Sequence, residues 1–141
     1  MAVFGLNFKK ILIERKSHEQ GKLSVAMNID IQDIKAVKNS PMKDKDLLNF
    51  EFIFGIKYNL EKKEIAELSF QGNVLYITEK ESANTILEEW KKKEIKEELK
   101  ILILNSVMTR CNIKALEFEE ELNLPPHLKL PFFQKKENQK K

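Results

Sequence analysis

The residues in this chain that could do chemistry are few and scattered. Its two histidines, His18 and His127, stand alone, and neither has a second ligand at the helical or loop spacing that a zinc site needs. Cys111, the single cysteine, has no histidine in local register, so the nucleophile and base of covalent catalysis are not paired. It lies in an apolar stretch, where a cysteine serves as a small core residue, and one cysteine closes no internal disulfide. The four glycines, Gly5, Gly21, Gly55 and Gly72, are dispersed and build no phosphate-cradling loop. Glu117, Glu119, Glu120 and Glu121 read as a solvated acidic helix face. The expectation is a protein with no catalytic centre, no metal and no cofactor.

Composition narrows the class further. A chain of 141 residues is one domain, long enough to bury roughly two-thirds of its unfolded surface without staples. Charged residues make up 33% of it yet nearly cancel, leaving a net charge of +3. That excess sits largely in Lys135, Lys136, Lys140 and Lys141, so residues 134–141 are expected to be a disordered Lys-rich tail after a domain at 1–133. No run approaches the roughly 20 apolar residues of a membrane span, and Met1-Ala2-Val3-Phe4 leads straight to Lys9 and Lys10 without the pattern of a signal peptide. A cytoplasmic protein with no membrane insertion is expected.

The first half carries strand periodicity. Leu48, Phe50, Phe52, Phe54, Ile56, Tyr58 and Leu60 alternate with Asn49, Glu51, Ile53, Gly55, Lys57 and Asn59, which gives one buried face and one mostly wet face. Ala66, Leu68, Phe70, Gly72, Val74 and Tyr76 repeat the pattern, and the polar Asn59–Lys63 segment joins the two runs as an antiparallel hairpin. Leu23, Val25, Met27, Ile29 and Ile31 alternate too, but past Asp33 the apolar parity slips to Ile34 and Ala36. Phe4, Leu6 and Phe8 likewise give way to Ile11 and Ile13 across Lys9-Lys10. A parity switch inside a strand marks a β-bulge or bend. Four sequential strands with short links predict an antiparallel meander.

The second half reads as helix. Ser82 is the expected N-cap of a short helix carrying Ile86, Leu87 and Trp90, and Lys91-Lys92-Lys93-Glu94 is too polar to bury and predicts a bend. A long helix follows from Glu94 to about Glu121. On it Ile101, Leu104, Met108, Cys111 and Ala115 share one face, and Leu99, Leu102, Ile103 and Val107 cover the adjoining arc. A helix apolar around most of its circumference must be covered on more than one side. A single sheet covers one, so self-association through Ile101, Leu104 and Met108 is expected. Beyond it, Leu122 to Phe133 contains Pro125, Pro126 and Pro131 and reads as an extended apolar strap. Such a strap closes an edge of the core or walls a binding groove.

The order of elements and the Leu122-Asn123-Leu124-Pro125-Pro126 motif after the long helix resemble the SecB family of protein-export chaperones, as does Glu64-Ile65-Ala66-Glu67-Leu68-Ser69-Phe70-Gln71-Gly72 in the position of that family's fourth strand. The similarity covers most of residues 6–133. It implies an α+β fold with a four-stranded antiparallel meander packed on a long C-terminal helix. It also implies an ATP-independent holdase for unfolded or nascent polypeptides in protein export, assembled as a homotetramer, a dimer of dimers. By matching position, the client groove would be lined by Leu87 and Trp90 on one side and by Leu124, Leu128, Leu130, Phe132 and Phe133 on the other. The chain departs from the family in three ways: no glycine precedes the strap, no second helix follows it, and the family's acidic character is missing.

Two rivals remain at this point. One is a module of the same fold dedicated to a single protein partner. The other is a nucleic-acid binder led by the lysine tail, which the aromatic parity argues against. Phe50, Phe52 and Phe54 share the buried face, and the opposite face offers Glu51, Glu67, Ser69 and Gln71, a poor surface for phosphates.

Overall fold

The computed structural model describes residues 2–131 and 133; Phe132 and the tail at 134–141 lie outside the described residues. Six elements follow one another: β1 (Ala2–Arg15), β2 (Leu23–Val37), β3 (Lys45–Leu60), β4 (Lys63–Glu79), α1 (Lys80–Lys91) and α2 (Glu97–Glu121). The strands form one antiparallel sheet in the order β1-β4-β3-β2. β2, β3 and β4 are the expected meander. β1 instead joins the far edge of β4, so the β1–β2 link crosses the tip of the β3–β4 hairpin. There the amides of Lys16 and Ser17 donate to the Ile65 carbonyl, and Gly21, at φ 153°, lies against Leu60. β1 thus takes β4's outer edge rather than β2's.

Strand parity places the apolar rows as the alternation requires. Leu48, Phe50, Phe52, Phe54, Ile56 and Tyr58 of β3 are fully buried, as are Ala66, Leu68, Phe70 and Val74 of β4. Each large side chain sealed this way contributes about 1.5–3 kcal/mol relative to exposure. Phe54 stacks on Phe70, and Phe8 meets both Phe70 and Phe52 edge-on. The aromatic row therefore faces the helices, and Phe118 of α2 packs on Phe70 with ring centroids 6.1 Å apart.

The parity slips are bulges. Register shifts fall between Phe8 and Lys10 in β1 and between Ile31 and Asp33 in β2, with a further one between Val3 and Gly5. Opposite the first of these sits Gly72. A Cβ there would stand 2.1 Å from the Asn7 carbonyl oxygen and 3.0 Å from Phe52 Cζ and Phe8 Cα, so only glycine lets the bulged β1 backbone approach β4.

Both helix starts differ from the sequence reading: α1 begins earlier and α2 later. Glu79, not Ser82, is the N-cap of α1, and no side chain caps it. α2 starts at Glu97 rather than Glu94, and the polar Lys92–Lys93 segment turns between the two helices. α2 buries an i, i+4 line of Ile103, Val107, Cys111, Ala115 and Glu119 against the sheet. Glu119 is thus not part of a solvated face. Burial pushes the Cys111 thiol up to about 12, against the pull of Arg110, which keeps it a core atom rather than a nucleophile.

α2 ends in a turn that needs a left-handed residue, and Asn123, at φ 57°, takes the position glycine more often fills. The Leu124 amide donates back to the Glu119 carbonyl. Gly72→Ala is expected to destabilise the fold by at least about 1–3 kcal/mol, since the added methyl meets backbone that cannot move independently. A urea titration checks this.

Candidate functional site

Among the described residues both outer strands of the sheet have one unpaired edge, but the helix-facing apolar row is covered unequally. On β2, Ile31 and Ile34 are buried beneath the helices, whereas Val25 and Met27 are 41% and 45% exposed. Met27 lies opposite Ile56 and Val25 opposite Tyr58, so these exposed side chains continue the core row out to the free edge.

Two anchors flank the Ile29–Asp33 stretch of β2, and Val25 and Met27 lie just beyond it. At one end the Trp90 indole N–H of α1 donates to Asp33 Oδ1 at 3.0 Å, and the Lys93 ammonium sits 4.5 Å from the centre of the indole ring. Asp33 follows the β2 bulge, and its Oδ1 also accepts the Ile34 amide. The Trp90 bond is the largest influence holding its carboxyl below the ordinary carboxylate range, helped by Ile34 and Lys35 and opposed by burial. A cavity of about 540 Å³ opens beside it, lined by Asp30, Ile31, Trp90, Glu94, Ile95 and Lys100, among others.

At the other end the strap returns over the sheet. The Arg15 guanidinium donates to the carbonyl oxygens of Leu122 and Asn123 at 2.8 and 2.7 Å and fixes where the strap leaves α2. His127 packs edge-on against Phe54, whose partner on β2 is Ile29. Ile29 and Asp33 are four residues apart, so the two anchors stand about 13 Å apart along β2. His127 also reaches Asn112 of α2. Leu104 and Met108 precede Asn112 by two turns and one turn on the same helix flank, and they form the wall between the anchors. Among the described residues the outer edge of β2 is unpaired alongside this flank of α2.

The expected site residues divide accordingly. Leu87 and Trp90 are half-buried on α1, and Leu124 is buried as part of the core. Leu128 and Leu130 are exposed on the strap, and Phe133 is fully exposed. Phe132 lies outside the described residues. The strap therefore does both things its composition allowed: Leu124 and His127 close the core, and Leu128 and Leu130 present apolar surface. Of the helix residues expected to drive assembly, Ile101 is half-exposed, whereas Leu104 and Met108 pack partly against their own core.

Sequence reasoning missed Val25, Met27 and Asp33 because alternation marks a face, not which strand lies at an edge. It also read His127 as isolated. Its partner Glu119 lies eight residues back and across a turn, in register with Ala115 and Cys111 on α2.

No protein-family model matches the sequence, and no curated protein sequence matches it. Among solved structures, the chain is similar to a SecB-like chaperone of Mycobacterium tuberculosis, in complex with a ChAD peptide from the HigA1 antitoxin. The identity is 11% and the TM-score 0.50, and the match covers 94% of this chain and 90% of that one. The likeness establishes the fold: a four-stranded antiparallel sheet carrying helices, in the SecB-like arrangement.

Trp90→Phe removes the donor that depresses Asp33. The Asp33 titration midpoint, followed by carboxyl-carbon NMR, is expected to rise toward the ordinary aspartate value. A depressed carboxylate stabilises the fold above the unfolded pKa and loses that effect as pH falls through the folded value. The variant should accordingly show less acid-dependent loss of stability from this contact.

Proposed function

We propose that this chain is an ATP-independent holdase that binds non-native polypeptides along the β2 edge lined by Val25 and Met27, next to the strap. The observation that carries the reading is the half-exposed apolar row of Val25 and Met27 beside unpaired strand backbone, with Leu128 and Leu130 also exposed on the strap. An extended client adds main-chain hydrogen bonds to such an edge and places alternate side chains in the groove. Burying about 1,000 Å² of apolar surface offers on the order of 25 kcal/mol gross, much of it offset by ordering costs, so capture needs no tight shape selection. No catalytic step is part of this reading.

A second reading is favoured by the similar structure, a complex with a peptide from one particular protein. The same groove would then serve one dedicated partner. Nucleic acid finds no comparable support, since the aromatic row is buried beneath the helices.

Self-association belongs to the proposal. The outer surface of α2 carries Ile101, Leu102, Asn105, Ser106, Thr109, Ile113 and Leu116, an uncharged stripe in a chain one-third charged. The hydroxyls of Ser106 and Thr109 donate to the carbonyls of Leu102 and Asn105 within the helix, leaving a weakly polar surface suited to packing against a second copy. A cytoplasmic homotetramer, a dimer of dimers acting in protein export, is the assembly this reading takes.

Suppression of aggregation of several unrelated unfolded substrates separates the two readings: activity toward none removes the general holdase. Trp90→Ala is expected to weaken suppression severalfold while leaving the assembled mass unchanged. Ile113→Glu is expected to lower the mass by light scattering with little effect on thermal stability, because Ile113 is 56% exposed in the single chain and its loss empties no core. Leu104→Glu would test folding and assembly together, since Leu104 also packs on its own core.

A further inference from the structure

Beneath the strap lies a polar cluster sealed from solvent, drawn from three elements. Tyr58 of β3 donates its hydroxyl proton toward Glu119 Oε2 at 2.8 Å and also lies in hydrogen-bond contact with the Pro125 carbonyl. The backbone amide of His127 donates to Glu119 Oε1 at 3.2 Å. His127 Nδ1 stands 3.0 and 2.8 Å from the two carboxyl oxygens, and Nε2 stands 2.9 Å from Asn112 Oδ1. The side chains of Glu119 and His127 are each only 1% exposed.

Counting protons shows what the cluster requires. Three protons serve these contacts: the single Tyr58 hydroxyl proton, shared between the carboxylate and the Pro125 carbonyl, and one on each ring nitrogen, toward the carboxylate and toward Asn112. Both ring nitrogens of His127 face acceptor oxygens, so each bond there needs its own ring proton. An imidazolium beside a carboxylate supplies both and leaves the cluster with no net charge. Tyr58 stays a hydroxyl, because burial and the neighbouring Glu119 oppose its ionisation. From β1, Arg15 grips the Leu122 and Asn123 carbonyls, and its charge does not change in this range. Removing one proton leaves a net negative charge in a site closed to solvent and turns a ring lone pair toward an oxygen. Both changes are costly when the groups are buried.

We infer that the strap is a proton-dependent latch: it grips α2 while the Glu119–His127 pair holds its shared proton, and it lets go when that proton leaves. Release frees residues 124–131 from the Tyr58 end of the groove and uncovers the apolar surface beneath Leu124. The consequence for client capture rests on the groove proposed above; the latch does not.

Amide hydrogen exchange on the full chain, from about pH 5 to about pH 8, tests it. Rates are corrected for intrinsic pH dependence and referenced to the Phe54 amide. Protection of the Leu124 and His127 amides is expected to fall by about tenfold per pH unit above a midpoint, the slope of a single released proton. Glu119→Gln and His127→Gln are expected to abolish that slope. A flat wild-type profile overturns the latch, because it means the Asn112 amide turns to donate to a neutral ring. A slope that persists in either folded variant overturns it as well. If both variants unfold by circular dichroism, the wild-type profile decides alone. A failed aggregation assay beside a sloping exchange profile would remove the groove reading and leave the latch standing.

Discussion

Everything in this molecule follows from a mismatch of widths. Four strands at their usual spacing make a sheet about 19 Å across, whereas one helix with its side chains is about 10–12 Å thick. α2 runs over the middle of the apolar face and seals β3 and β4 completely. It cannot seal β1 and β2 at the same time. The outer strands therefore keep apolar side chains that none of the described elements fully covers, Ile11 on one side and Val25 and Met27 on the other. The strap repairs part of the β2 side and stops short of the rest. Incomplete cover in a folded chain is an invitation to other polypeptide, whether a client or a second copy.

The bulges and the buried polar groups are devices that make this arrangement hold. A bulge in β1 and another in β2 let each long strand change parity, so that apolar residues at both ends stay on the helix side. Gly72 makes room for the first, and the second places Asp33 where Trp90 can reach it. At the far end Arg15 and the Glu119–His127 pair hold a proline-rich segment that has few amides of its own to offer. The two anchors are thus polar contacts, and the exposed Val25 and Met27 lie beyond the one at Ile29.

Much of this was legible from the residues. Alternation in residues 48–60 and 66–76 named the buried side chains, the parity slips named two bulges, and the prolines after Leu124 named the strap. Strand order was not legible, because alternation tells a strand which way to face and not which neighbour to take; β1 chose β4. The burial of Glu119 was hidden among Glu117, Glu120 and Glu121, and only its four-residue spacing from Ala115 sets it apart. Ser82 looked like a cap because its side chain suits the role, but β4 runs directly into α1 and leaves no turn for it to start.

The pairing of β1 with β4 has a bearing on how the chain is made. An N-terminal strand whose partner lies some 50 residues downstream finds no mate until the whole sheet has left the ribosome. Its closing contact is also the one with the largest loop to close, and non-local pairing of this kind slows folding. Through that interval Phe4, Leu6, Phe8, Ile11 and Ile13 are bare on a nascent chain. A protein proposed to shelter unfinished polypeptides begins its own life as one.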